Sequence, residues 1–104
     1  MKAIPLKPAE LDMISTIFRR HPAVTLATLF GSRANGTHTE RSDVDLALTG
    51  QIDPLGAERI AGELDELPLP YQFDVKALNH IHYPPLLEHI NRVGIVIYRG
   101  VDMS

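Results

Sequence analysis

The chain contains no cysteine, which excludes disulfides and thiolate metal sites. It also lacks a long apolar run. The longest, Ala23 to Phe30, is broken by threonines and falls well short of the about 20 residues that a membrane-spanning helix needs. The first residues, MKAIPLKPAELDM, place prolines and acids where a secretory signal carries a continuous apolar core. A soluble, cytoplasmic protein is therefore expected. Positive charge is scarce as well: ten Lys and Arg stand against thirteen Asp and Glu, for a net charge of −3. That balance argues against electrostatic binding of bulk nucleic acid and favours a small nucleotide or a protein as substrate.

What is present is organised around one stretch, LFGSRANGTHTERSDVDLAL, from Leu29 to Leu48. Val24 to Phe30 is apolar and β-branched, reads as a strand, and stops at Gly31 as a strand does on entering a tight turn. Ser32 suits the first turn of a short helix or coil that ends at the turn dipeptide Asn35-Gly36. Such a Gly-Ser corner turns backbone N–H groups outward where the missing side chain lets an anion approach, a geometry that suits phosphate. Ten residues later the pattern becomes strict alternation. Val44, Leu46 and Leu48 fall on one face, and Asp43, Asp45, Ala47 and Thr49 on the other. With the apolar set buried, the two carboxylates share a side about 6 to 7 Å apart along the backbone. Carboxylates that close repel unless a hard cation lies between them, and Mg²⁺ prefers one or two carboxylates plus phosphate oxygens.

The remainder fits one domain, residues 1–104, long enough to bury somewhat over ~60% of its unfolded surface. Pro8 to about Arg20 reads as a helix with Leu11, Ile14, Ile17 and Phe18 as its buried stripe. Leu55 to Leu67 reads as a second helix with an acidic outer face, ended by Pro68 and Pro70. Tyr71 to Leu78 forms a strand on which Phe73 and Val75 alternate against Asp74 and Lys76. Pro84 to Gly94 is a last helix, and Ile95 to Tyr98 a last strand. Helices alternating with strands make the fold class α/β, a small mixed β-sheet flanked by helices. His80 and His82 are too few to form a zinc site. Arg41 and His38 read as solvated loop residues, and Lys76 as an exposed strand lysine.

Gly31-Ser32, ten residues, then Asp43-Val44-Asp45-Leu46 resembles the signature of the DNA polymerase β-like nucleotidyltransferases. More narrowly, it resembles the minimal MNT-type enzymes, the antitoxin partners of HEPN toxins. The resemblance covers roughly residues 24 to 99 and implies a polymerase β palm-like core, with Asp74 in Gln72-Phe73-Asp74-Val75-Lys76 as the third carboxylate. It further implies that Asp43, Asp45 and Asp74 hold two Mg²⁺ ions, with Asp74 on the acceptor side. Gly31 and Ser32 grip the β- and γ-phosphates of ATP, and Arg33 lies near the triphosphate.

The activity so implied is transfer of AMP from ATP to a hydroxyl, foremost a tyrosine of a HEPN toxin, which silences the toxin. Two other readings stand beside it. A binding module would neutralise its partner by contact without chemistry. Transfer to a small molecule would need an acceptor cavity beside Asp74, which a chain this short is expected to form only at an oligomer interface. Homo- or hetero-oligomeric state is left open.

Overall fold

A computed structural model describes residues 4–37 and 43–100. The loop candidates His38 and Arg41 lie outside the described residues. Helix α1 (Pro8–Arg19) starts on a proline, and Glu10 reaches back to accept from the Lys7 N–H at 3.0 Å. Ile14, Ile17 and Phe18 bury its apolar stripe as the spacing predicts. The chain then runs through β1 (Val24–Phe30), the short helix α2 (Gly31–Asn35) and β2 (Val44–Gly50). Next come α3 (Pro54–Asp65), capped by Asp53 accepting from the Gly56 N–H at 2.7 Å, and β3 (Phe73–Ala77). A 3₁₀ turn (Leu78–His80), α4 (Pro84–Val93) and β4 (Ile95–Arg99) complete the order.

The four strands form one mixed sheet in the order β3-β2-β1-β4. β1 is antiparallel to both neighbours, whereas β2 and β3 run parallel through the α3 crossover. Val44, Leu46 and Leu48 of β2 are fully buried in the main core with Ala27 and Leu29 of β1, Ile14 and Phe18 of α1, and Ile60 and Leu64 of α3. The other face is covered over part of its area. Phe30, Ala47 and Ile90 make a second, smaller core, which Leu78, Ile81 and Leu86 pack against. Simple alternation placed Ala47 with the outward aspartates. It is buried because α4 closes over that end of the strand, so the face is solvated at Asp43 and sealed four residues later.

Two departures matter for the site. β2 begins at Val44, so Asp43 stands just ahead of the strand, exposed, and the ladder is continued there by the Val44 N–H donating to the Gln72 carbonyl at 2.9 Å. The acidic face of α3 is also not uniformly solvated. Glu63 is half-buried, with an oxygen 2.8 Å from Nε2 of His21, which ties the turn after α1 to α3.

Candidate active site

The site grows from the end of β1. Phe30, the last residue of β1, pairs directly with Asp45 in the antiparallel β1–β2 register, so the residue after the strand turns beside the Asp45 side chain. That residue is Gly31, with φ at +76°. A Cβ there would run into Oδ2 of Asp45. Glycine is required twice, for the left-handed backbone and for the space the carboxylate occupies. The α2 turn closes on Gly36, whose φ of +82° gives a left-handed cap, and the Thr37 N–H donates to the Ser32 carbonyl at 3.0 Å.

On the other side of Asp45, the parallel β2–β3 register pairs it with Asp74. Adjacent strands lie about 4.8 Å apart and paired residues in such a ladder point the same way, so the two carboxylates share one face. Asp45 is half-buried and Asp74 exposed. Burial pushes the Asp45 carboxyl above its usual range, and the charges of Asp74 and Asp43 push it further in the same direction. Lys76 and His89 oppose the shift without cancelling it. All three aspartates singled out in the sequence therefore act in one electrostatic neighbourhood, and Asp45 is its centre.

Among the described residues no three acidic or histidine side chains are already gathered into a metal cage. The donor set nevertheless fits a hard divalent cation. It is made of carboxylate oxygens, and the burial and neighbouring negative charge that raise Asp45 are what a cation would relieve. Lys76 Nζ lies 3.6 Å from Oδ1 of Asp74, an exposed pair in which both side chains keep over two-fifths of their surface in water.

The residues expected on the nucleotide side are divided by the turn of α2. Gly31 and Ser32 are half-buried at its start, whereas Arg33 is buried, with its guanidinium 4.5 Å from the centre of the Tyr71 ring. Tyr71 in turn donates to the carboxylate of Glu10, buried at the start of α1, with its hydroxyl 3.0 and 3.1 Å from the two oxygens. The placement puts Arg33 behind the corner, against Tyr71.

One residue at the site went unnoticed in the sequence. The Gly31 N–H donates to Nε2 of His89 on α4 at 3.0 Å, and the His89 ring stands edge-on to Phe30 with centroids 6.3 Å apart. The available signal was its position. His89 falls three residues after Leu86 and four before Val93, inside the stripe by which α4 packs on the sheet.

A cavity of about 370 Å³ opens beside Asp74, lined chiefly by Pro54, Ala57, Asp74, Lys76, His80 and Ile81. The expectation that only an oligomer interface could furnish such a space is thereby corrected. The packing of α3 and the 3₁₀ turn along the outer edge of β3 leaves the space within a single chain.

Comparison with known proteins agrees with this fold. Residues 12–101 match the family described as polymerase beta nucleotidyltransferase. No curated protein matches the sequence. Among solved structures, the chain is similar to a toxin–antitoxin complex crystallised with AMP-PNP, at 24% identity and a TM-score of 0.72, covering 88% of this chain and 74% of that one. It is similar to a tri-AMPylated Shewanella oneidensis HEPN toxin in complex with MNT antitoxin, at 20% identity and a TM-score of 0.69, covering 92% and 74%. It also resembles the toxin–antitoxin complex MntA-HepT, at 20% identity and a TM-score of 0.68, covering 91% and 74%. With residues 12–101 of its 104 inside the family match and the Gly-Ser corner set against the paired aspartates, the chain belongs to the polymerase β nucleotidyltransferase family.

Proposed function

We propose that this protein is an MNT-type antitoxin that transfers AMP from ATP to a tyrosine hydroxyl of a HEPN toxin partner. The observation that carries the reading is the in-register pair Asp45 and Asp74 beside the Gly31 corner, in a chain of this family. Structural likeness to complexes of MNT antitoxin with HEPN toxin, one of them AMPylated and another holding AMP-PNP, supports the choice of partner and nucleotide.

In the proposed reaction, Asp43, Asp45 and Asp74 would hold Mg²⁺, which when bound would offset the charge that develops on the attacking and leaving oxygens. Gly31 leaves the room for close approach of the phosphates, Ser32 offers its hydroxyl to them, and Arg33 braces the same turn from behind. The acceptor oxygen attacks the α-phosphorus in line. A new P–O ester bond forms, the bond to the bridging oxygen of the β-phosphate breaks, and pyrophosphate leaves with the electron pair. Asp74, exposed on the acceptor side, takes the hydroxyl proton. Asp45, half-buried between the corner and Asp74, would stay ionised as a ligand, since a bound cation would offset the burial and the neighbouring charges that raise its carboxyl.

Incubation with labelled ATP, Mg²⁺ and the product of the neighbouring gene tests the reading. Label on a tyrosine of the partner that is lost with Asp45→Asn supports it. Neutralisation of the partner that survives both Asp43→Asn and Asp45→Asn, with no label transferred, would establish a contact antitoxin instead.

A second acceptor class is favoured by one observation, the cavity beside Asp74. Its apolar walls from Pro54, Ala57 and Ile81, with polar groups at Asp74 and Lys76, suit a small hydroxylated molecule. Label appearing on small molecules of a metabolite extract, and not on the partner protein, would select this reading.

A further inference from the structure

The Gly31 corner has a weakness built into it. Asp45 occupies the space where a Cβ would stand, so the residue has to be glycine, and glycine is the residue that holds its peptide least firmly. The Asp45 carboxylate rests against Gly31, in the place its missing side chain leaves open. Any rotation of the Gly31 peptide changes where the carboxylate sits. A restraint from outside the loop is needed, and α4 carries one. Nε2 of His89 accepts the Gly31 N–H at 3.0 Å across 58 positions of sequence.

The acceptor is itself held in place. The ring stands at 79° to Phe30, the residue immediately before Gly31, so the corner and its clamp share one aromatic contact. To accept at Nε2 the neutral ring carries its proton on Nδ1, a tautomer assigned from the hydrogen bond. Ile90, the next residue along α4, is buried in the small core with Phe30 and Ala47, which sets the height of the helix over β1 and β2.

Resting on the nucleotidyl-transfer reading above, we propose that His89 is a positioning residue of this site. It fixes the Gly31 peptide and, through it, the orientation of Asp45. The proposed role requires no contact between His89 and nucleotide or acceptor. Its contribution is a fixed wall for a carboxylate whose placement has to be held to within a fraction of an ångström for in-line attack.

His89→Gln and His89→Leu test this together. Both fill the space, but only glutamine presents an oxygen where Nε2 lies. A purely structural role in the apolar stripe of α4 predicts that leucine is tolerated at least as well as glutamine. The positioning role predicts the reverse order. Leucine keeps the melting temperature yet lowers kcat for AMP transfer by about tenfold or more, with a smaller change in KM for ATP, whereas glutamine restores most of kcat.

Hydrogen exchange of the Gly31 amide, read by NMR on the whole chain, gives a measure that needs no turnover. Protection is expected in wild type and His89→Gln and lost in His89→Leu. Equal kcat for the two variants, or a Gly31 amide as protected in the leucine variant as in wild type, overturns the proposal. Wild-type protein that shows Gly31 protection but transfers no nucleotide to any acceptor would instead count against the nucleotidyl-transfer reading.

Discussion

Asp45 and Asp74 stand side by side across the parallel β2–β3 register, and the half-buried one of the two carries the strain of the pair. Its carboxyl is raised above the ordinary value of 3.8 by burial first and by Asp74 and Asp43 next. Above both the folded and the unfolded pKa the ionised group therefore costs stability. As the pH falls through the raised folded value the folded chain takes up a proton before the unfolded chain does, and the cost disappears. Asp45→Asn removes that cost. In EDTA at neutral pH the variant should melt at a higher temperature than wild type, with the difference fading as the pH drops through the raised value towards 3.8. Thermal melts across that range check it, and a variant less stable than wild type at neutral pH would refute the electrostatic account.

Addition of Mg²⁺ should reverse the order. In the proposed reaction the cation binds the folded site and not the unfolded chain, so it should raise the melting temperature of wild type by mass action and that of Asp45→Asn little or not at all. At a concentration 100-fold over its dissociation constant the gain is about 2.7 kcal/mol. Calorimetry with and without Mg²⁺ would detect it, and an equal response from both proteins would place the cation elsewhere.

Gly31→Ala should be among the most damaging single changes in the chain. The left-handed φ of +76° costs a non-glycine residue roughly 1–2 kcal/mol, and the added methyl displaces the Asp45 carboxylate as well. Urea denaturation should show a loss of that size or more, and AMP transfer should fall by about 100-fold or more because the displaced group is a cation ligand in the proposed reaction. Gly62, with open space where its Cβ would stand, is the control: Ala there should be neutral or slightly stabilising.

Much of this was legible in advance, for physical reasons that differ by element. The β1 boundaries and the α1 stripe follow from apolar periodicity ended by glycine and by the His21-Pro22 pair, which local chemistry decides. The β2 and β3 aspartates were recognisable because a charged residue within an apolar alternation must face out. The burial of Ala47, the His89 clamp and the contact of Arg33 with Tyr71 were not legible. Each depends on how α4 or α1 docks on the sheet, and a docking angle leaves no local mark in sequence. The cavity beside Asp74 escaped for the same reason, since it is the gap left between α3 and the edge of β3.

Asp74→Asn separates binding from chemistry. Asp74 is exposed, and in the proposed reaction it stands on the acceptor side, so its loss removes both the proposed proton acceptor and a proposed cation ligand. ATP affinity measured with Mg²⁺ should change only a few-fold, since Asp43 and Asp45 remain, while kcat falls about 10²- to 10⁴-fold, the range for a lost general base. A loss confined to KM would assign Asp74 to nucleotide binding instead.

Arg33 and Tyr71 provide the last test, because two roles for the arginine predict opposite outcomes. Tyr71→Phe keeps the ring beneath the guanidinium but takes the phenolic donor from Glu10, which is 8% exposed and keeps the Lys7 N–H as a partner. Weakening the environment of a buried carboxylate in this way should cost about 1–3 kcal/mol in urea denaturation. Arg33→Lys exchanges a flat guanidinium that stacks on the ring for an ammonium that does not. If Arg33 braces the corner from behind, the lysine variant should lose stability on a similar scale, and transfer activity should recover when the protein is assayed well below its melting temperature. If the guanidinium instead turned outward to the triphosphate, the lysine variant would keep its stability and show a raised KM for ATP. The burial of Arg33 at 4% exposure favours the first outcome.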